Sequence, residues 1–557
     1  MMLECLCYRV GHADEGVCLL VQMGPYRILL DCGLEDISPM QASINKKNPL
    51  PADLVLICHA HADHARGLLA LHRAFPQLPI YASEVTTQLL PLNWPGIDRD
   101  QLPWCQALPW QKPIEFLDGL TAELFPAGHL PGAAAVLLTY RPPPSSGKPP
   151  RPYTVFYTGD FFLSNSRLVD GLPLEELRGL QPDVLIVEGS YGTSRLQRRR
   201  SLENELAERI HGAIGLGYSV LLLTPPLGLA QELLMLLRSH HQFTGRDLDI
   251  WVDGSVARGC DIYLNIIPQL PNSVQNFAKH QPLFWDERVR PRMRRFSSEN
   301  PDWKAAAPSI VIADETADFN TYCQTGSDSW LVLLPEKPGF PQPGESSDRS
   351  TKGDRLLVET YLLAEHSDGS GTTQLVHNLR PQHIIFVHGS PTYLADLANL
   401  EELRNRYHLH TPKAGTHVDL PVDDTLLMQP SVRDTSYQGE LTEDSGNAIV
   451  VLPEDLSRDP RWQNFADTGL VVARWQGKEL VLRGLSQREL LGRSSDAKVP
   501  PGVDCCGNCL YYRGQRCWNQ ASPLFGFKVT PDGYCPVFEA IERFGSTENL
   551  NEDFFEE

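Results

Sequence analysis

Short apolar runs alternate with amphipathic stretches through residues 1–192 of the chain. The runs at 17–22, 27–31, 54–58 and 184–187 have the length and apolar content of buried strands, and each is followed by polar residues. The stretches between them carry apolar residues at helical spacing. This alternation predicts a layered α/β domain.

A second block of strand and helix patterns occupies residues 193–354 and is predicted to be an insertion. It ends in a Pro-, Gly- and Ser-rich stretch at 336–354, which predicts a loop. Residues 355–420 then return to strand–helix alternation and are predicted to complete the first domain. The inserted block has predicted strands at 218–224, 248–252 and 310–313 and a predicted helix at 229–239.

Two smaller regions are predicted after residue 420. Residues 421–500 have the pattern of a small α/β region or linker, with a strand pair near 469–483. Residues 501–557 contain a crowd of cysteines and end in an acidic tail that we expect to be solvated.

Composition and charge limit the classes of function. The 557 residues are 42% hydrophobic and 21% charged, as in ordinary folded proteins of several domains. A net charge of −20 disfavours nonspecific polyanion binding, so that any nucleic-acid binding must depend on local basic patches. With no signal peptide and no long apolar run, we expect a cytoplasmic protein without membrane association.

Candidate metal ligands follow the predicted strands. His59, His61, Asp63 and His64 lie in CHAHADHARG, directly after the run at 54–58. Imidazole and carboxylate groups at one strand end are typical of a zinc site, whereas the alternative is a loop with surface histidines. Further candidates that each follow an apolar run are His129 in FPAGHLPG, Asp160 in FYTGDF and His388 in FVHGS.

Together with Asp31 in LLDCG, these motifs resemble in order those of the metallo-β-lactamase superfamily. The resemblance implies an α/β fold with an αββα sandwich and two zinc ions, for which manganese is an alternative. It also implies that Asp31 orients the ligands without touching metal. By the same resemblance one zinc would be held by His59, His61 and His129 and the second by Asp63, His64 and His388, with Asp160 bridging them.

Three later motifs resemble the β-CASP branch of that superfamily, which contains RNase J and the eukaryotic pre-mRNA cleavage nuclease. They are Glu188 in VEGSYGT, His366 in AEHSDG and His388 in VHG. That branch has an α/β domain inserted between the first two motifs, as residues 193–354 are here, and AQEL at 230–233 resembles its start.

The branch implies hydrolysis of RNA by two zinc ions that activate water and clamp the phosphate, with Asp63, Glu188 and His366 as catalytic residues. His366 would protonate the leaving ribose oxygen, and Glu188 would hold its tautomer and raise its pKa. The alternatives are a capping or core histidine and a surface carboxylate at a strand end.

Arginine clusters in the insertion are the candidate contacts to single-stranded RNA. The guanidinium fork suits phosphate and also stacks on bases, but a solvated basic face is an equal alternative. The first cluster is Arg195, Arg198, Arg199 and Arg200, and the second, flanked by Trp285 and Phe296, contains Arg288, Arg290, Arg292, Arg294 and Arg295.

Some segments depart from the branch. Leu229 stands where the AQEL segment often carries arginine, and residues 309–320 lack the usual Gly-Met-rich loop. These departures keep two alternatives open: a hydrolase of a small-molecule ester, and a noncatalytic scaffold subunit of RNA processing. The sequence also leaves open the oligomeric state, a homo-oligomer included.

Four cysteines near the C-terminus predict a metal or cluster module. Cys506, Cys509, Cys517 and Cys535 supply four thiolates with one CxxC pair, enough for zinc or a [4Fe–4S] cluster. The segment weakly resembles high-potential iron–sulfur proteins. Free thiols are the alternative, and the module would be either a structural staple or a redox sensor.

Overall fold

The chain divides into two units, Met1–Pro430 and Ser431–Glu557. In the first unit the computed structural model describes residues 3–12, 15–44, 48–97, 104–143, 151–297, 308–318, 320–323, 329–336 and 356–422. In the second unit it describes residues 440–444, 447–451, 471–476, 479–484, 506–513 and 516–519.

The strands of the first unit are, in chain order, β1 Leu3–Val10, β2 Val17–Met23, β3 Tyr26–Leu30, β4 Leu54–Ile57, β5 Ile80–Ser83, β6 Cys105–Leu108, β7 Ile114–Leu117, β8 Leu120–Pro126, β9 Ala134–Tyr140, β10 Tyr153–Tyr157, β11 Val184–Glu188, β12 Ser219–Thr224, β13 Asp249–Val252, β14 Arg292–Arg295, β15 Ile310–Asp314, β16 Trp330–Pro335, β17 Leu356–Tyr361, β18 His383–Val387, β19 His408–His410 and β20 Thr416–Asp419. Its helices are α1 Ser38–Ala42, α2 Ala62–Ala65, α3 Leu68–Ala74, α4 Glu84–Leu89, α5 Leu174–Leu177, α6 Arg199–Gly215, α7 Leu229–Ser239, α8 Gly254–Asn265, α9 Asn272–His280, α10 Asn320–Cys323, α11 Gly369–Leu379, α12 Pro391–Ala398 and α13 Glu401–Arg404.

Two seven-stranded sheets form the centre of the first domain. Their strand orders are β20-β1-β2-β3-β4-β5-β6 and β19-β18-β11-β10-β9-β8-β7. In each sheet one half is antiparallel and the other parallel, and β18, β11 and β10 are parallel neighbours. Strands β18 to β20, which come after the insertion in the chain, complete both sheets.

The alternation of side chains along each strand produces the layers. Leu54 and Leu56 of β4 point to the core between the two sheets, where they join Val155 and Ile186 of the other sheet. Val55 of β4 belongs instead to the core on the outer face, which is covered by helices. Since successive strand residues face opposite sides, a continuous apolar run is buried on both faces. The predicted αββα sandwich is confirmed.

The inserted domain contains a third sheet of six parallel strands in the order β14-β13-β15-β12-β16-β17. Helix α6 packs on β12 and α8 packs on β15. The sheet extends beyond the boundary predicted at residue 354, because β17 pairs with β16 after the polar stretch. The loop predicted at 336–354 lies, apart from residue 336, outside the described residues.

Three hairpins are described in the second unit. Their strands are β21 Glu440–Asp444 with β22 Asn447–Val451, β23 Val471–Gln476 with β24 Glu479–Gly484, and β25 Tyr512–Arg513 with β26 Arg516–Cys517. The second hairpin lies where the sequence predicts a strand pair. Among the described helices of the chain, none has the length and apolar character needed to cross a membrane.

Candidate metal centre

The predicted ligands converge because their strands end at the same edge of the sandwich. Asp160 follows β10, Glu188 ends β11 and His388 follows β18, and these three strands are parallel neighbours. The carboxyl ends of parallel strands lie together, so the three side chains meet. The loop after β4 in the facing sheet brings His59 and His61 to the same place.

The backbone at His388 joins the two sheets. Its N–H donates to the carbonyl of Val10 at 2.6 Å, and its φ is +50°. A left-handed conformation is uncommon for histidine and marks a constrained position. Gly11 lies against it: a Cβ there would be 2.9 Å from the Cα of His388.

The first ligand set consists of His59, His61, His129 and Asp160, whose ligand atoms all lie within 4.8 Å of one another. Nδ1 of His61 is 3.1 Å from Nε2 of both His59 and His129. Oδ2 of Asp160 is 3.4 Å from Nε2 of His59 and 3.8 Å from Nε2 of His129.

The outer nitrogens of these histidines determine where their lone pairs point. Nε2 of His61 must donate to the carbonyl of Leu227 at 3.1 Å, and Nδ1 of His129 to the carbonyl of Glu365 at 2.9 Å. The inner nitrogens are therefore unprotonated in the neutral rings. Burial favours those neutral rings, because it lowers the pKa of His61 and holds that of His129 at about 3. Lone pairs that face each other at 3.1 Å need a cation between them.

The second ligand set consists of Asp63, His64, Asp160 and His388. Oδ2 of Asp63 is 3.1 Å from Nε2 of His388, and Nε2 of His64 is 3.3 Å from Oδ2 of Asp160. Nε2 of His64 and Oδ1 of Asp160 are both buried without a hydrogen-bond partner in the described part of the chain. Such orphaned acceptors are rare in proteins, and a metal ion satisfies them.

The donor set thus fits divalent metal ions in two adjacent positions that share Asp160. Imidazole nitrogen with carboxylate oxygen suits zinc, and carboxylates also suit manganese. All seven ligand positions expected from the sequence lie in these two sets.

Asp31 lies behind the ligands, with its side chain fully buried. Its carboxylate accepts hydrogen bonds from Nδ1 of His64 at 2.8 Å, from N and Sγ of Cys58 at 2.8 Å each, and from the hydroxyl of Tyr157 at 2.5 Å. Burial, reinforced by the charge of Asp31, raises the pKa of both the Cys58 thiol and the Tyr157 hydroxyl, so both remain protonated donors. The sulfur of Cys58 in turn lies 3.0 Å from Nδ1 of His59.

The sequence reasoning missed Cys58 and Tyr157. A usable signal was present, since each directly precedes a metal motif in the chain, in CHAHADH and YTGD.

Glu188 and His366 form a pair beside the second set. Nδ1 of His366 is 2.9 Å from Oε2 and 3.1 Å from Oε1 of Glu188, which also accepts from the N–H of Phe161 at 2.7 Å and from the hydroxyl of Ser190. Burial alone would raise the pKa of the Glu188 carboxyl, but its interactions with His366 lower that pKa to about 2. Burial likewise lowers the pKa of His366, but Glu188 outweighs that effect and raises it above the ordinary value.

The inserted domain closes over one side of the first ligand set. The carbonyl that orients His61 belongs to Leu227, in the loop before α7, and Gly228 follows it with φ at +88°. A Cβ on Gly228 would lie 3.6 Å from Nε2 of His61 and 3.3 Å from Oε1 of Glu365. Backbone carbonyls carry no sequence signature, so this contact could not be found before the structure.

The first arginine cluster splits into two environments. Arg195, Arg198 and Arg200 are exposed, and the adjoining N–H of Leu196 donates to Asp368 at 3.0 Å, two residues beyond His366. Arg199 is instead directed inward, with a side chain 7% exposed. The prediction that Arg199 contacts RNA is not supported by this placement.

The second arginine cluster is paired within the protein. Arg292 pairs with Asp247 and Asp249, Arg295 lies over the ring of Trp285 at 4.2 Å and pairs with Asp261, and Arg294 lies 3.7 Å from Glu287. The acidic partners offset much of the positive charge of Arg292, Arg294 and Arg295, whose contact with RNA stays a prediction.

The cysteine module is described only in part. Cys506, Cys509 and Cys517 are buried, and Cys535 lies outside the described residues. Among the described residues, the groups whose ligand atoms converge all lie in the first unit.

Comparisons with known proteins agree with these motifs. The chain matches the family model of a β-lactamase superfamily domain over residues 26–219 and that of a Zn-dependent metallo-hydrolase RNA specificity domain over 355–412. An uncharacterised protein of Synechocystis sp. is 48% identical over 544 residues, 96% of each chain. An RNase J-like protein of Methanocaldococcus jannaschii is 28% identical over 294 residues, which are 48% of this chain and 63% of that relative. Integrator complex subunit 11 of Danio rerio is 23% identical over 458 residues, 73% of this chain and 74% of that relative.

The two family models cover the segments that build the site. The first contains His59, His129 and Asp160, and the second contains His366 and His388 on either side of α11. The resemblance found in the sequence is confirmed. The chain belongs to the metallo-β-lactamase superfamily and, within it, to the β-CASP branch of metallo-hydrolases.

Proposed function

We propose that this chain is a ribonuclease that hydrolyses phosphodiester bonds of single-stranded RNA with two zinc ions. The observation that carries the proposal is the pair of ligand sets that share Asp160, with His366 stacked on His388 at a ring separation of 5.5 Å. The RNase J-like relative and the match to an RNA specificity domain support RNA as the substrate.

Each side chain would have a distinct task in that reaction. The bound metal ions would supply an activated water and neutralise charge on the phosphate. Asp63 and Asp160 would hold the second ligand set beside the first. His366, with Nδ1 fixed by Glu188, would deliver a proton from Nε2 to the leaving ribose oxygen.

The exposed arginines would hold the RNA near His366. Arg195, Arg198 and Arg200 lie in the segment whose neighbour Leu196 is bonded to Asp368, and within the described residues they form no ion pair. Their charges would therefore be available to phosphates.

The test is cleavage of 5′-labelled and internally labelled single-stranded RNA by the purified full chain with zinc or manganese. We expect cleavage by the wild type, loss of cleavage with loss of bound metal in Asp63→Ala, and loss of cleavage with metal retained in His366→Ala. Asp170→Ala, an exposed carboxylate outside the site, is the matched control.

Other results would lead to different functions. A wild type that binds metal but cleaves no RNA would refute the ribonuclease and favour the small-molecule ester hydrolase. A wild type that binds metal and RNA but cleaves neither RNA nor an ester would favour the scaffold subunit.

We also propose that Cys506, Cys509, Cys517 and Cys535 hold zinc or a [4Fe–4S] cluster, since three of these cysteines are buried and the first two form a CxxC pair. Metal analysis and visible absorbance of anaerobically purified protein separate the two, because only the cluster is coloured. Cys509→Ser should lower the metal content; unchanged content would refute the site.

A further inference from the structure

Arg199 connects the inserted domain to the segment that carries His366. It begins α6, and its Nη1 donates to the carbonyl of Ala364, two residues before His366. Its Nη2 lies 3.2 Å from Oε2 of Glu232, and its Nε lies 3.4 Å from Oε1 of Glu203. Two carboxylates and a carbonyl thus surround this guanidinium.

Glu232 extends this network into the first domain. It lies in the AQEL stretch on α7 and is 6% exposed. Its carboxylate accepts from the hydroxyl of Ser166 at 2.7 Å and from the N–H groups of Leu168 at 2.8 Å and Arg167 at 2.9 Å. The loop that follows Asp160 in the chain is therefore held by the same carboxylate that holds Arg199.

The segment around His366 is fixed on both sides of the histidine. Ala364 is held through its carbonyl by Arg199, and Glu365 through its carbonyl by His129. On the other side, the N–H of Ser367 donates to the carbonyl of Phe161 at 2.9 Å. The ring of His366 is held by Glu188, whereas the backbone leading to it is held at Ala364 by Arg199.

We infer that Arg199 is a positioning residue for proton transfer: by holding the Ala364 carbonyl it keeps Nε2 of His366 at the leaving oxygen. The inference rests on the proposed function, in which His366 is the acid. It assigns Arg199 a role different from that of its exposed neighbours Arg198 and Arg200, because a guanidinium that is 7% exposed and paired with two carboxylates has no free face for phosphate.

The test compares two substrates that differ in their need for an acid. RNA has a poor leaving group, whereas bis(4-nitrophenyl) phosphate has a good one that departs without a proton. In Arg199→Ala we expect kcat on RNA to fall about ten- to hundredfold with KM little changed, and kcat on the nitrophenyl ester to stay near wild type. Arg199→Lys should restore part of the loss on RNA.

Arg209→Ala is the matched control. Arg209 lies on the same helix and forms a comparable pair with Glu359, at 2.6 Å, away from His366. Its loss should lower the melting temperature without changing kcat on either substrate.

Three results would overturn the inference. Equal losses on both substrates would make Arg199 merely structural, an unchanged kcat on RNA would remove its role, and a raised KM with a shallower salt dependence would return it to RNA binding. If Arg199→Ala does not fold, Glu232→Gln removes the charge that holds Arg199 and is measured in the same way. A wild type that hydrolyses the nitrophenyl ester but not RNA refutes the proposed function, and this inference with it.

Discussion

Glu188→Gln removes one negative charge from the site and keeps the shape of the side chain. Glutamine can still accept from the N–H of Phe161, as Glu188 does at 2.7 Å. It cannot stabilise a protonated His366, whose Nδ1 lies 2.9 Å from the carboxylate, and its amide presents a donor to that nitrogen. The variant therefore removes both the charge of Glu188 and the acceptor that its carboxylate offers to His366.

The size of the effect follows from the separation and the burial. Glu188 is 1% exposed and the side chain of His366 is 18% exposed, so solvent screens the pair weakly. Coulomb's law at an effective dielectric constant of ~20 gives roughly 4–6 kcal/mol for unit charges this close, which is an upper limit. Shifts seen for opposite charges at such distances are about 1–3 pKa units, or about 1–4 kcal/mol.

The sign follows from the direction of the shift. Glu188 raises the pKa of His366, so the acid stays protonated to a higher pH than an ordinary histidine. In Glu188→Gln that pKa falls, and the alkaline limb of the pH profile of kcat moves to lower pH. At neutral pH the kcat on RNA should fall, because a smaller fraction of His366 then carries the proton.

The assay is the pH dependence of RNA cleavage under saturating substrate, with bound metal measured for each protein. Glu359→Gln, which removes a carboxylate paired with Arg209 outside the site, is the control and should keep the wild-type profile. An alkaline limb in Glu188→Gln that coincides with the wild-type limb, with metal retained, would refute the assignment of His366 as the acid.

Three further predictions concern the metal sets, the inserted loop and the RNA contacts. Asp160→Asn should lower the metal bound in both sets, measured by elemental analysis, because Asp160 is shared between them. Asp170→Asn is the control and should keep the full metal content. Full metal content in Asp160→Asn would contradict the shared ligand. Gly228→Ala should cost about 1–3 kcal/mol of unfolding free energy because φ is +88°, and it should weaken metal binding because the loop carries the Leu227 carbonyl. Gly212 has open space around it on α6, so Gly212→Ala should be neutral or stabilising in the same melting experiment. Arg200→Ala should make the slope of the log RNA-binding constant against log salt concentration shallower by about 0.7, whereas Arg292→Ala should leave this slope unchanged. Equal slopes for the two variants would contradict the division between free and paired arginines.

The metal ligands could be predicted from the sequence because each follows an apolar run. The position after a run is the end of a strand, and the ends of neighbouring parallel strands lie together, so Asp160 and His388 could be assigned to one place before any coordinates. The same reasoning predicts the two facing sheets, because apolar residues on both faces require layers on both sides.

The roles of the arginines could not be predicted in this way. Charge runs are visible in the sequence, but the partners of each arginine are not. The partners of Arg292 lie on β13 and just before it. Those of Arg199 lie on α6, on α7 and beside His366. Pairing across a fold depends on tertiary contacts that have no local pattern. The pairing of β17 with β16 likewise has no local pattern, since a long polar stretch separates the two strands in the sequence.

The pairing of the arginines restricts where a polyanion can bind. The chain carries a net charge of −20, and the guanidinium groups of Arg199, Arg292 and Arg295 are neutralised by carboxylates. Among the described residues, the first cluster keeps unpaired positive charge at Arg195, Arg198 and Arg200, next to the segment that carries His366. If these three supply the phosphate contacts, the log–log salt slope for single-stranded RNA is about −2. A steeper slope would require basic contacts elsewhere on the chain. A slope of about −2 would mean that RNA is held mainly beside His366. Repulsion from the rest of the acidic surface would then favour short single-stranded segments.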